Sequence, residues 1–251
     1  MNNNQQPIFV SQTSLKRLVS DIKQINKNPL TSQGIYYQHD ETDMMKGYAM
    51  IVGPSETPYE YGYYLFEFKY PPTYPFQPPT VTACTQDGKT RFNPNLYVSG
   101  KVCVSILNTW SGEQWSSCQT ISSVLLVLCT LLCKNPFTNE PHMTTSHPDC
   151  ANYDKIIQFK NIEVAIFKML TKEYLPKRFK MFYPTMVELF HKNKAKIIST
   201  IVSNLNENNT IYNVANYNMN VRVNYVDLLQ NLTDFAETMV SNEDNNEDNQ
   251  Q

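Results

Sequence analysis

Cys103 is the residue of this chain with most chemical potential, and its neighbours limit what that chemistry can be. It lies in RFNPNLYVSGKVCVSILNTW, residues 91–110, eight positions after Asn95, which closes an Asn93-Pro94-Asn95 tripeptide. A thiol reacts as its thiolate and has to be reachable. Gly100-Lys101 reads as a turn that would leave Cys103 exposed. A cysteine hydrolase would need a histidine base and an orienting group. The four histidines, at 39, 142, 147 and 191, stand in no such signature. A phosphatase would need an arginine-closed loop of backbone amides, and Val104 to Trp110 contain neither arginine nor a glycine cluster. An Asn-Pro turn fixes the backbone, and an amide such as that of Asn95 can then donate to a developing oxyanion. A reachable thiol, a nearby amide and no histidine base fit acyl-thioester transfer to an amine. The plain alternative is a packed structural thiol.

The elements that must position these residues are legible as an early block of strands and a late block of helices. From Ser14, SLKRLVSDIKQINKN places Leu15, Leu18, Val19 and Ile22 at helical spacing, with Pro29 as a stop. GIYYQHD, MKGYAMIVG and YGYYLFEFKY read as an antiparallel meander. Glu67 and Lys69 alternate with apolar neighbours, so one sheet face is expected to be wet. The prolines of YPPTYPFQPPTV rule out a central strand and lead into a short fourth strand, Thr80 to Cys84. A PxxP ligand for an SH3 or WW domain is the competing reading of that segment. Thr120 or Ser122 caps a helix ending near Leu132. A second helix carries Ile156, Phe159, Ile162, Ile166 and Leu170 on one stripe until Pro176. Further helices follow, with Pro184 as a first-turn residue or a kink. This order predicts an α+β chain, not a doubly wound one.

The chain has 251 residues, 41% hydrophobic and 18% charged, with a formal net charge of -2. That is enough to bury a core and too little positive charge for general nucleic-acid binding, so no nucleic-acid partner is expected. MNNNQQPIFVSQTS is not a signal peptide, and the apolar run Val124 to Cys133 is too short to span a bilayer. A soluble, intracellular protein without membrane contact is expected, with its six cysteines as free thiols. Cys129, Cys133, His142, His147 and Cys150 could be read as a zinc set, but no CxxC pair supports it, and no metal is expected. No phosphate-binding glycine motif is present.

YPPTYPFQPPTV, FNPN, GKVCVSIL and QWSSCQTISSVLLVL, in this order, resemble the core of the ubiquitin-conjugating enzymes. That family has His-Pro-Asn eight residues before its cysteine. The insertion NTWSGEQW, the loop NPFTNEPH and the long C-terminal segment are most similar to the large Z-type members, and more distantly to the conjugating domain of the giant inhibitor-of-apoptosis protein. The likeness covers about Ser14 to Val240. It implies a ubiquitin-conjugating fold: a first helix, a four-stranded meander, an active-site loop and C-terminal helices. It divides the chain into a disordered start (1–12), a catalytic core (13–175), a helical extension (176–240) and an acidic disordered tail (241–251).

By this resemblance Cys103 receives ubiquitin or a ubiquitin-like protein from an activating enzyme and passes it to lysine, directly or with a RING or HECT ligase. ATP is used by the activating enzyme, so no cofactor is expected on this chain, and the setting is cytoplasmic or nuclear. Asn95 would stabilise the oxyanion or order the loop. Pro94 would set the turn, and Asn93 replaces the family's histidine. The gate loop NPFTNEPH offers Asn139 or Glu140 opposite the cysteine, and of these only Glu140 can act as a base. Trp115 would pack below the active site. Phe76, with Ser117 on the companion loop, would dock a ligase, and the usual proline of that loop is missing from Ser116-Ser117-Cys118. Lys16 and Arg17 would meet the activating enzyme. The alternative is a catalytically inactive, conjugating-enzyme-like ubiquitin-binding scaffold.

Overall fold

Helix α1 (Gln12–Lys27) begins where the Ser14 N–H donates to Ser11 Oγ at 3.0 Å, an N-cap that satisfies one orphan donor of the first turn. This computed structural model describes residues 11–248. The expected disordered start therefore falls mostly outside the described residues, and α1 takes in Gln12. Four strands follow: β1 (Ile35–His39), β2 (Lys46–Val52), β3 (Tyr63–Lys69) and β4 (Thr80–Ala83). They pair antiparallel in sequence order, the predicted meander. Helix α2 (Ile121–Leu131) starts at Thr120, whose Oγ1 accepts the Ser123 N–H while Ser123 Oγ accepts the Thr120 N–H, a reciprocal cap.

Side chains alternate between the two faces of a strand. Ala49, Ile51, Tyr64, Phe66 and Phe68 point to one side and pack with Leu18 and Ile25 of α1 and Val124, Leu125 and Leu128 of α2. Tyr48, Met50, Tyr63 and Leu65 point to the other side, which was expected to be wet. It is covered. Phe179, Met186, Phe190 and Leu232, all from beyond Pro176, build a second core on it. Glu67 on this face is paired by Arg178, Nε to Oε2 at 3.3 Å, and Lys69 at the strand end is exposed. Alternation in β3 had hidden a face that is polar at one end and fully apolar at the other.

Helix α3 (Pro148–Lys160) runs without a break into a wider π-helical segment, Asn161–Lys168. Its stripe is shared between the cores: Ile156 joins the first, and Phe159, Ile162, Ile166 and Leu170 join the second. At the start of the widened segment Asn161 is buried, accepts from Tyr64 Oη at 2.8 Å and donates to the Glu60 carbonyl at 2.9 Å. Residues before and within the widened segment enter both cores, Val164 and Ala165 joining the first, so the continuous helix contributes to both along its length.

The remainder is helix α4 (Tyr183–Ser203), a hairpin of β5 (Ile211–Val214) and β6 (Met219–Arg222), and helix α5 (Tyr225–Asp248). Pro184 is a first-turn residue of α4 and makes no kink there. Two expectations need correction. The extension is not wholly helical, because the hairpin interrupts it. The acidic tail is not wholly irregular, because α5 continues to Asp248. Among the described residues no helix is long and apolar enough to cross a membrane.

Phe190 of α4 is fully buried in the second core. Phe190→Ala should lower stability by about 3–5 kcal/mol in chemical denaturation. A loss below about 1 kcal/mol would mean that the extension does not share the sheet's core.

Candidate active site

The spacing of eight between Asn95 and Cys103 has a geometric cause. Gly100 has φ +88° and donates its N–H to the Tyr97 carbonyl at 2.8 Å, closing a tight turn. A Cβ there would lie 2.8 Å from Thr82 Cγ2, so the position needs glycine for space as well as for its backbone. Beyond the turn the chain runs back antiparallel. Tyr97 N donates to the Lys101 carbonyl at 2.9 Å, Leu96 bridges Val102, and Cys103 N donates to the Asn95 carbonyl at 2.9 Å. Asn95 and Cys103 are thereby opposite each other. Asn95 Nδ2 completes the pair by donating to the Cys103 carbonyl at 2.7 Å, and Asn95 Oδ1 is buried without a hydrogen-bond partner.

Asn93 holds the other end of the tripeptide. It is fully buried, donates from Nδ2 to the Leu131 carbonyl at 2.7 Å and to Tyr59 Oη at 3.1 Å, and accepts the Asn95 N–H on Oδ1 at 2.9 Å. Every polar atom of that side chain is used for structure. Pro94 is buried, and its carbonyl accepts from Arg91 Nη2.

Cys103 itself is 2% exposed, which corrects the expectation of an open thiol. The turn at Gly100 does not leave it at a tip. The strand after the turn is paired, and the following loop closes back: Val104 N donates to Thr109 Oγ1 at 2.9 Å, and Gly112 of the insertion lies against Ser105.

The gate loop carries both candidates, in different roles. Asn139 turns inward, with Nδ2 3.3 Å from the Leu131 carbonyl and 3.5 Å from Asn93 Oδ1. Glu140 turns to the C-terminal hairpin, where Tyr217 donates to its Oε2 at 2.6 Å. Burial and this bond hold the Tyr217 phenol well above its usual range, so it stays a donor. The Arg91 guanidinium lies 3.7 Å from the Tyr97 ring centroid and 4.7 Å from that of Tyr217. Tyr59, Arg91 and Tyr217 were not found from the sequence. Only Arg91 stood close enough to the tripeptide to be suspected.

The outer residues group around α1. Phe76 is 72% exposed, at the tip of the proline-rich loop. Beside it Tyr74 is buried and donates to Asp21 of α1 at 2.5 Å. A PxxP ligand would have to be freely extended, and this anchored loop is not. Trp115 donates from Nε1 to the Pro75 carbonyl at 2.7 Å and from its backbone to Asn108 Oδ1 at 2.8 Å, so it ties that loop to the insertion after Cys103. Its ring also packs on the first core, beside Tyr74. Ser117 is exposed. Lys16 is exposed, but Arg17 is spent internally. It pairs with buried Asp21 at 3.0 Å and donates to the Ser117 and Gln119 carbonyls at 2.6 Å each. The buried carboxylate needs a cation, which explains why Arg17 is not presented outward.

Comparison with known proteins agrees with the geometry. The profile described as "Ubiquitin-conjugating enzyme" matches residues 17–161, more than half of the chain. This chain belongs to the ubiquitin-conjugating enzyme family. It is 46% identical over 159 residues to the Homo sapiens "Ubiquitin-conjugating enzyme E2 Z", a stretch covering 62% of this chain and 44% of the relative. It is 37% identical over 172 residues to the Caenorhabditis elegans "Probable ubiquitin-conjugating enzyme protein 17", covering 62% and 23%. It is 45% identical over 121 residues to the Homo sapiens "Dual E2 ubiquitin-conjugating enzyme/E3 ubiquitin-protein ligase BIRC6", covering 44% and 2%. The chain thus spans less than half the length of these three relatives. These matches support a Z-type member. The hairpin that bears Tyr217 lies outside the matched family segment.

The cysteine and histidine set near the gate does not converge. Among the described residues no three His, Cys, Asp or Glu side chains form a metal-holding group. Cys133 contacts Asn139, and His147 caps α3 by accepting the Asp149 N–H at 3.1 Å. Asp154, also on α3, is raised by burial to about 6. Its native pKa thus exceeds the unfolded value of about 3.9, so the folded state binds the proton more tightly. The stability this contributes is complete at low pH and is lost as pH rises through about 6. Asp154→Asn should therefore be more stable than the wild type at pH 7, and the difference should vanish below about pH 4 in paired thermal melts. A variant less stable at pH 7 would contradict this.

Proposed function

We propose that this chain accepts ubiquitin, or a ubiquitin-like protein, as a thioester on Cys103 and transfers it to lysine. The observation that carries the reading is the paired geometry of Asn95 and Cys103 within a chain of this family. In charging, the Cys103 thiolate attacks the thioester carbonyl held by an activating enzyme. A new C–S bond forms, the old one breaks, and the activating enzyme's thiolate leaves. ATP is consumed on that enzyme. In discharge, the lysine amine attacks the Cys103 thioester, C–N forms, C–S breaks and the Cys103 thiolate leaves. The amine's proton passes to the Glu140 carboxylate or to water.

One Asn95 amide proton is committed to the Cys103 carbonyl, and the second remains for the oxyanion. The amide thus orders the loop and, from the same position, supplies a donor. Exposed Phe76 and Ser117 offer a surface for a RING or HECT ligase, and exposed Lys16 one for the activating enzyme. The setting we propose is the cytoplasm or nucleus. Burial of Cys103 is the observation that favours the second reading, an inactive ubiquitin-binding scaffold. On the enzyme reading, the loop from Val104 to Gly112 must shift to admit the modifier.

Incubation with an activating enzyme, ATP and ubiquitin should give a reductant-sensitive adduct on wild type and a reductant-resistant one on Cys103→Ser. Asn95→Ala should charge within about twofold of wild type and discharge to lysine roughly 10- to 100-fold more slowly. A folded protein that forms no adduct with any modifier would support the scaffold instead. Equal rates for Asn95→Ala would remove its proposed role.

A further inference from the structure

The gate loop and the C-terminal hairpin meet at Tyr217. Tyr217 lies in the short turn that joins β5 to β6. Its ring stands edge-on to Phe137 of the gate loop at 5.8 Å, with an interplanar angle of 74°, and to Tyr153 of α3 at 5.6 Å. Its hydroxyl donates to Glu140 Oε2 at 2.6 Å. Its ring also lies against the Arg91 guanidinium, which in turn bonds the Pro94 carbonyl inside the Asn-Pro-Asn turn. One side chain therefore touches the gate at two points and supports the catalytic turn through a third. It comes from 77 residues beyond Glu140, outside the segment that defines the family.

The arrangement leaves the gate carboxylate half engaged. A carboxylate has two oxygens, each able to accept. The bond from Tyr217 is to Oε2, which leaves Oε1 for an ammonium. The phenol, held protonated, does not compete for the amine's proton. Holding a carboxylate in one rotamer removes the entropy cost of arresting it when the substrate arrives.

We propose that Tyr217 is a positioning residue for aminolysis: it fixes Glu140 so that the free oxygen orients the incoming lysine and takes its proton. This rests on the reading of Cys103 as the modifier's acceptor and extends it. The site of this chain is then completed by its C-terminal extension, and the hairpin becomes part of how a substrate amine is selected.

Tyr217→Phe keeps the ring on Arg91 and Phe137 and removes only the hydroxyl. Preloaded ubiquitin thioester on this variant, on Glu140→Ala and on the double variant should be chased with free lysine in single turnover. Tyr217→Phe should discharge about 10-fold more slowly, with the loss falling on discharge and not on charging. The double variant should be no slower than Glu140→Ala alone, because the two side chains act as one unit. Unchanged discharge by Tyr217→Phe, additive losses in the double variant, or an equal loss in charging would overturn the proposal. Hydrogen exchange of the gate-loop amides of Glu140 and Met143 tests the latch even if no thioester forms. Faster exchange in Tyr217→Phe, with an unchanged melting temperature, supports it, and identical exchange overturns it. Failure of the wild type to charge would count against the Cys103 reading and leave the exchange result to decide the latch.

Discussion

The antiparallel pairing across the Gly100 turn is the constraint on which the rest of the site depends. It sets Asn95 opposite Cys103 by two hydrogen bonds of 2.9 and 2.7 Å, one from each residue. Slippage by one residue would send the Asn95 amide to the other side of the ribbon. The surrounding structure is arranged to prevent that. Asn93 locks the start of the ribbon to the end of α2, Arg91 braces Pro94, and Gly100 packs on Thr82 next to the sheet edge.

The sheet on which this turn rests is shared by two cores. One face of the meander is closed by α1 and α2. The other is closed by Phe159, Ile162, Ile166 and Leu170 together with residues beyond Pro176. The extension is therefore part of the fold and not an appendage. Its hairpin packs on the first core through Val214 and Met219 and against α3, and so brings Tyr217 to the gate. On the opposite side a second network runs from Arg17 and Asp21 through Tyr74 and Trp115 to Asn108. This network joins the loops that bear Phe76 and Ser117 to the loop after Cys103. The outer loops and the loop that closes over the thiol thus share physical parts.

Much of this was legible in the sequence, for identifiable reasons. The meander announced itself through aromatic and β-branched runs with clear breaks. The cap at Thr120 and the eight-residue spacing were local signals. What failed to show depended on partners distant in sequence. The second core was invisible because Glu67 and Lys69 gave β3 a wet signature that Arg178 and the extension cancel. The hairpin was hidden because its strands are only four residues long and are set among asparagine-rich turns, which read as loop. Arg17 read as a solvent-facing cation because nothing nearby in sequence revealed that Asp21 is buried. Cys103 read as exposed because a glycine turn suggests a tip, whereas the loop after it folds back. Glu140 and Asn139 stayed interchangeable until Asn93 and Tyr217 separated them.

The most direct test of this account is hydrogen exchange at the Cys103 amide in wild type and in Gly100→Ala, measured beside discharge of the thioester. Alanine at that position meets both a positive φ and the Thr82 side chain. The Cys103 amide should be protected in the wild type, and Gly100→Ala should lose that protection and, in parallel, discharge, while the melting of the second core is little changed. Full protection together with full discharge in Gly100→Ala would show that the pairing of Asn95 with Cys103 does not depend on this turn, and would contradict the account.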